Sequence, residues 1–317
     1  MKSALISIVI PAYNAESSIA QAIQSILNQD FKEWELIIVN DGSTDKTAET
    51  VHKIAAKDTR ISLINQSNEG QIAARATGIR ESHGEWLYFI DADDAIKPDA
   101  LSSMLRYVGP NVDMIVYEYP LNGIISRNAY CKYLLSFKSW TVWGKLFRRN
   151  LFDEKSMSVP RYFKTGEDFL TQIRLLRNIK GNIILRPEYK YIYFANNPLS
   201  VQKSTFKDYE YEKQMILEVG QALDGMDMEI NVSYFHWQLT YLSGMIGMKY
   251  NINFSDEWII KLKDSAKKHH LSIYEKLVLK AIDKSLYRIL FVIEKKAKRN
   301  ARSLINVLKK LTKTRKK

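Results

Sequence analysis

Five short runs rich in β-branched and aromatic residues, Ile6 to Ile10, Trp34 to Val39, Ile61 to Asn65, Trp86 to Ile90 and Met114 to Tyr117, constrain the fold more than any other feature of the chain. Helical patterns separate them. Ser17 to Gln29 sets Ile19, Ala22, Ile23, Ile26 and Leu27 on one face, and Thr44 to Lys57 does the same with Ala48, Val51, Ile54 and Ala55. Strands that are apolar throughout must be covered on both faces, so this order predicts an α/β fold with a mostly parallel sheet flanked by helices. Ligands of such sheets bind beyond the carboxyl ends of the strands.

Those ends are polar and turn-forming. The first strand leads into Pro11-Ala12-Tyr13-Asn14-Ala15-Glu16 and the second into Asn40-Asp41-Gly42-Ser43-Thr44-Asp45. The fourth ends abruptly in Asp91-Ala92-Asp93-Asp94, three carboxylates within four positions. Carboxylates so close repel one another unless something positive lies among them, and hard oxygen donors suit Mg²⁺ or Mn²⁺. The alternative is a solvated acidic turn at the start of a helix over Pro98 to Tyr107. From about Asn122 the alternation lapses. Trp140 to Phe147 and Thr165 to Leu170 stand out there, and the second opens a helix with Glu167 and Asp168, a pair that a helix dipole alone would favour. One further strand is expected at Ile183 to Leu185.

Beyond about Asp208 prolines disappear, and Tyr209 to Leu223, Val232 to Met248, Asp256 to His269 and Tyr274 to the terminus read as helices. The domain division is therefore 1–207 for the α/β part and 208–317 for a helical C-terminal domain. Of the net charge of +12, eleven come from Lys295 to Lys317, which holds no acid, and the rest of the chain carries +1. In that last helix Leu286, Leu290, Ile293, Ala297, Ala301, Leu304, Leu308 and Leu311 form an apolar stripe, suited either to an anionic membrane surface or to packing on the helical domain. The basic residues lack interleaved aromatics and the body is nearly neutral, so a nucleic-acid partner is not expected. The single cysteine, Cys131, excludes an internal disulfide framework and fits a reducing compartment. The apolar run near the N-terminus is β-branched and reads as a strand rather than a signal peptide. No uncharged run is long enough to span a bilayer. The five histidines show no convincing metal-ligand spacing.

Four stretches together carry a resemblance: Ser7 to Glu16, Ile38 to Asp45, Asn68-Glu69-Gly70-Gln71-Ile72-Ala73-Ala74-Arg75-Ala76-Thr77-Gly78, and Gly84 to Asp94. In this order and spacing they make the chain resemble glycosyltransferase family 2, the nucleotide-sugar-dependent inverting transferases with the Rossmann-like GT-A fold. The likeness continues more loosely through Trp143-Gly144-Lys145-Leu146-Phe147, Gly166-Glu167-Asp168 and Asn197-Pro198-Leu199-Ser200, and leaves the helical domain unassigned.

The resemblance implies that Pro11, Ala12, Tyr13, Asn14 and Glu16 flank the uridine of a UDP-sugar, with Gly42 and Ser43 in the same donor site. It implies that Asp41 accepts from the uracil ring, and that Gln71 and Arg75 lie by the pyrophosphate or order the acidic loop. Asp93, helped by Asp91 and with Ala92 between them, would bind Mn²⁺ or Mg²⁺ at the diphosphate. The base falls on Asp168, with Glu167 orienting the acceptor and Asp94 as the competing carboxylate. Trp143 and Lys145 are candidates for the sugar subsites, since an aromatic face covers a pyranose and an ammonium reaches phosphate or hydroxyl, with a structural place as the equal alternative for either. Two departures stand out. Ala76 replaces the family's Asn after the Ala-Arg pair, and Phe194 to Pro198 brings no His to the metal, leaving Asn196, Asn197 or water.

The function expected is thus an inverting, metal-dependent transfer of a hexose (glucose, galactose or an N-acetyl form) from a UDP-sugar to a glycan or glycoprotein acceptor. The setting implied is cell-surface polysaccharide or adhesin O-glycan assembly, in the cytoplasm and peripherally at the inner face of the plasma membrane. The helical domain would shape the acceptor side or an oligomer contact. The alternative is a non-catalytic scaffold that binds anionic membrane or nucleic acid through its basic tail. A nucleotidyltransferase would need a glycine- and arginine-rich loop where this chain has Pro11-Ala12-Tyr13-Asn14.

Overall fold

The first apolar run becomes β1 (Ile6–Ala12), an inner strand buried along its whole length. A computed structural model of the chain describes residues 5–117, 122–136, 140–194 and 207–284. The chain divides into two compact units, Met1–Thr205 and Phe206–Lys317.

In the first unit, β2 (Trp34–Asp41) and β4 (Trp86–Phe89) flank β1 in parallel, and β3 (Ile61–Gln66) adds to β2, also in parallel. Connections α1 (Ile19–Leu27), α2 (Thr47–Ala55) and α3 (Gln71–Arg80) run between them. Alternate strand residues serve opposite faces. Ile6, Ile8, Ile10, Leu36 and Ile38 share one cluster with Ile19, Ala22, Ile23 and Ile26 of α1 and Val51 of α2. Ile37 and Val39 meet Ala74 of α3 on the other. Each fully buried isoleucine contributes on the order of 2 kcal/mol, so the sheet is held from both sides.

The rest of the unit comprises β5 (Ala95–Ile96), α4 (Ala100–Leu105), β6 (Val112–Tyr117), β7 (Gly123–Ile125), α5 (Arg127–Leu135), β8 (Lys145–Arg148), α6 (Glu154–Met157), α7 (Glu167–Leu175), β9 (Asn182–Arg186) and β10 (Tyr191–Ile192). The main sheet has the order β3-β2-β1-β4-β8-β6-β9-β7. In its middle, where the sequence pattern assigns no element, β8 lies antiparallel between β4 and β6, pairing Tyr88 with Leu146 and Ile115 with Leu146. Four residues after Gly144 are too few to show a period. β10 pairs antiparallel with β5, which follows the acidic loop directly.

The second unit is helical: α8 (Tyr209–Leu223), α9 (Met228–Gly247), α10 (Glu257–Ser265) and α11 (Ile273–Lys284). Met215, Ile216, Val219, Leu239, Leu242, Ile259 and Leu262 are buried in it. Tyr209 ties helices together, donating to Asp256 Oδ2 (2.6 Å) and accepting from Trp258 Nε1 (3.1 Å). Among the described residues no helix is long and apolar enough to cross a membrane. The basic stripe beyond Lys284 lies outside the described residues.

Candidate active site

The loops after β1 and β2 are stapled by side chains. Asn14 Oδ1 accepts from Thr44 N (2.9 Å), Asn14 N donates to Ser43 Oγ (3.0 Å), and Glu16 Oε2 accepts from Lys46 N (2.8 Å). Tyr13 stands beside them, 52% exposed. Gly42 adopts a left-handed backbone (φ +72°), and a Cβ there would lie 2.8 Å from Asn68 N, so the turn admits only glycine. Pro11 and Ala12 belong to the strand rather than the loop: β1 continues to Ala12, opposite Val39 and Asn40 of β2. The β1–β4 ladder ends at Val9 and Phe89, so on that side nothing demands an N–H from Pro11.

Asp41 is buried, and its carboxylate organises the loop before α3. Oδ1 accepts from Glu69 N (2.9 Å) and Gln66 Nε2 (2.8 Å), and Oδ2 from Gly70 N (2.8 Å). These bonds set the entry of α3, which carries Gln71 and Arg75 toward the acidic loop. Gln71 Nε2 donates to Asp91 Oδ1 (2.9 Å), and Arg75 Nη2 donates to the same oxygen (2.9 Å). The other arm of Arg75 donates to Asp168 Oδ1 on the first turn of α7. One guanidinium, 3% exposed, thus joins the acidic loop to the Glu167-Asp168 pair.

The charge state of this cluster follows from burial and neighbours. Burial works against the charge of Arg75, but Asp168, Asp91 and Glu167 hold its pKa above the ordinary arginine value. Withdrawal from water raises Asp91 above the carboxylate range, against the pull of Arg75. Glu167 is pushed up to about 7, by burial first and by the adjacent Asp168 second. Its Oε2 is a buried oxygen with no hydrogen-bond partner among the described residues.

Asp168 is held on its other side by backbone: Val142 N donates to Oδ2 (3.0 Å). The loop that presents this N–H is itself fixed by Gln172 on α7, whose Nε2 donates to Trp140 O (2.6 Å) and Thr141 O (3.1 Å) while its Oε1 accepts from Tyr130 (2.6 Å). Lys145 belongs to the same support. It is 2% exposed and its ammonium donates to Thr141 O, a position inside the fold that the antiparallel β8 gives it. Asp94 is likewise buried and engaged, accepting from Tyr191 Oη (2.7 Å) and Phe194 N (3.0 Å), with its pKa raised to about 6 mainly by burial. It anchors the 191–194 segment to the acidic loop. Tyr191, Gln172, Tyr130 and Val142 N–H escaped the sequence reading. The alternating aromatics Tyr189, Tyr191 and Tyr193 were the one available signal.

Among the described residues no group of three His, Cys, Asp or Glu is placed to hold a metal ion. Asp91 already serves Arg75 and Gln71, and Asp94 serves Tyr191 and Phe194. Asp93, with help from Asp91, is the candidate for a divalent ion, on a partly buried loop. Two hard oxygen ligands fit a divalent ion whose shell a diphosphate completes. Asn196 and Asn197 lie outside the described residues.

Residues 7–170 match the family model described as Glycosyl transferase family 2. The chain is 30% identical over 223 residues to the uncharacterized glycosyltransferase EpsJ of Bacillus subtilis, covering 64% of each. It is 29% identical over 231 residues to the poly(ribitol-phosphate) beta-N-acetylglucosaminyltransferase TarP of Staphylococcus aureus, covering 64% of this chain and 68% of that one. The chain spans about half the length of the curated relatives it matches. Among solved structures, S. aureus TarS 1-349 in complex with UDP-GlcNAc superposes with a TM-score of 0.71 at 19% identity, covering 92% of both chains, which shows a shared GT-A fold.

Proposed function

The chain belongs to glycosyl transferase family 2, and from that premise we propose that it is an inverting transferase moving a hexose from a UDP-sugar to a glycan or glycoprotein hydroxyl in cell-surface glycan assembly. The observation that carries this reading is the Arg75 bridge, which holds the donor-side Asp91 and the acceptor-side Asp168 on one buried guanidinium.

In this reading Asp168 accepts the proton of the acceptor hydroxyl as its oxygen attacks the anomeric carbon from the face opposite UDP. The new C–O bond forms as the bond to the β-phosphate oxygen breaks, the electron pair leaves with UDP, and the anomeric configuration inverts. Arg75 and Val142 N–H keep the carboxylate aimed, and Glu167 orients the acceptor. Tyr13, Asn14, Glu16, Gly42 and Ser43 flank the uridine, and Asp41 offers its remaining acceptor capacity to the uracil imide. Asp93 and Asp91 would hold Mn²⁺ or Mg²⁺, which when bound offsets the charge of the diphosphate leaving group. The names of TarP and of the TarS complex support UDP-GlcNAc as the first donor to try. The charge of the C-terminal stretch supports a peripheral position at the inner membrane face, and the helical unit would serve the acceptor or an oligomer contact.

A panel of UDP-, GDP-, CMP- and dTDP-sugars, with Mn²⁺ or Mg²⁺ and with EDTA, tests the proposal through nucleotide release. Chelator-sensitive release from one UDP-hexose is expected. Silence across the panel, together with no UDP binding by calorimetry, would overturn it.

A further inference from the structure

The geometry points to an acceptor subsite built on the exposed ring of Tyr193, a stacking platform for a pyranose. This inference deepens the proposed function and rests on it.

The platform is assembled from buried parts. Tyr191, 7% exposed, stacks on the Trp143 indole (centroids 4.4 Å apart, planes 15° apart). Its hydroxyl donates to Asp94 Oδ2 and accepts from Asp91 N (3.1 Å), which locks the ring to the acidic loop. Two residues on, Tyr193 also lies nearly parallel to Trp143 (5.9 Å, 12°) but is 53% exposed. The next residue, Phe194, donates its N–H to Asp94 Oδ1. Tyr193 is therefore held from both sides of the chain and oriented by an indole. Trp143 in turn follows Val142, whose N–H holds Asp168. A rigid aromatic face exposed to water is thus tied to Asp94 and to the proposed base through adjacent residues.

Such a face recognises a particular chemistry. A pyranose ring presents a flat patch of C–H groups rimmed by hydroxyls, so its apolar side covers the phenol ring while its rim reaches carboxylates. An open-chain polyol phosphate offers no continuous C–H face and brings a negative charge. The ionisable groups of the adjoining loop are Asp91, Asp93 and Asp94, and nearby Lys190 is spent on Asp99 (2.5 Å). The platform therefore selects a neutral pyranoside over a linear polyol phosphate.

Saturation-transfer NMR on the full chain tests this without any donor. The probes are the methyl β-pyranosides of glucose, galactose and N-acetylglucosamine, with ribitol 5-phosphate as the open-chain comparison. In wild type and Tyr193→Phe, at least one pyranoside should receive saturation on the axial C–H protons of one face. Tyr193→Ala should weaken its Kd roughly five- to tenfold, the worth of one aromatic contact. Tyr189→Ala, an exposed tyrosine off the platform, controls for surface change. Equal affinity in Tyr193→Ala, no pyranoside binding to wild type, or ribitol 5-phosphate binding with the same Tyr193 dependence would each overturn the inference. Tyr193-dependent pyranoside binding by a protein that turns over no donor would instead remove the transferase reading and leave the platform standing.

Discussion

At the amino end of β2, Glu35 accepts from Ser7 Oγ (2.6 Å) and from the backbone N–H groups of His83 (2.6 Å) and Gly84 (3.2 Å). At the carboxyl ends of the same strands, Asp91, Glu167 and Asp168 gather around Arg75. Both groups are withdrawn from water, and burial pushes both up. At Glu35 the donors win and the pKa falls below the ordinary value, whereas Asp91 and Glu167 remain raised. A carboxylate supplied with several N–H and O–H donors stabilises a fold, and several carboxylates sharing one cation store charge for a ligand. Packing is tight at the structural end too: a Cβ at Gly84 would lie 2.6 Å from Ser7 N.

The largest effect that would break this contrast is expected from Arg75→Met. It leaves the surrounding carboxylates without their buried cation, and removing one partner of a buried pair costs about 3–5 kcal/mol. Urea unfolding should show that loss together with absent transfer. A variant as stable as wild type would mean that the cluster is neutralised in another way.

Asp168→Asn keeps the shape and its bond to Val142 N–H but removes the charge. Turnover should fall about 10²–10⁴-fold, the usual worth of a general base, with UDP affinity measured by calorimetry unchanged. Normal turnover would displace Asp168 from the proton-transfer role. Gln172→Leu removes the support of the Trp140–Val142 loop without touching a carboxylate. It should cost roughly 1–3 kcal/mol of stability, because Tyr130 and two carbonyls lose a buried partner, and should lower kcat through Asp168.

The smallest and most diagnostic pair is Glu35→Gln against Glu167→Gln. Glu35 has a depressed pKa, so its contribution is present above the unfolded value and lost as pH falls through the folded one. Its removal should destabilise at pH 7 by about 1 kcal/mol and converge with wild type in acid. Glu167 has a raised pKa, so its protonated form favours the fold at low pH and the benefit is lost as pH rises through about 7. Glu167→Gln should therefore match wild type near pH 4 and exceed it above pH 7, by on the order of 1 kcal/mol. Thermal melts across pH that shift both variants in the same direction would erase the distinction between the two ends.

Much of this arrangement was legible in the chain. Asn14, Asp41, Gly42 and Ser43 announce turns at strand ends, and turn chemistry is local. Asp91, Asp93 and Asp94 were visible because they interrupt an apolar run. For Lys145 the sequence leaves a sugar-facing and a structural place open, and its burial shows only once β8 is seen between two strands. Tyr191 sits in a short aromatic alternation that does not name its partner, and Gln172, a glutamine on a helix, carries no signal until its partners are in place.

The sequence by itself determined the order of strands and helices, the faces they bury and the polar character of the strand ends, because periodicity and turn formation act over a few residues. Tertiary structure alone decided which carboxylates share one guanidinium. Arg75 lies 16 residues from Asp91 and 93 from Asp168, and only the closing of β8 beside β4 and the docking of α7 bring the three charges within bonding distance. Their altered affinities for protons arise from that proximity and from the loss of water, neither of which is written in any local stretch.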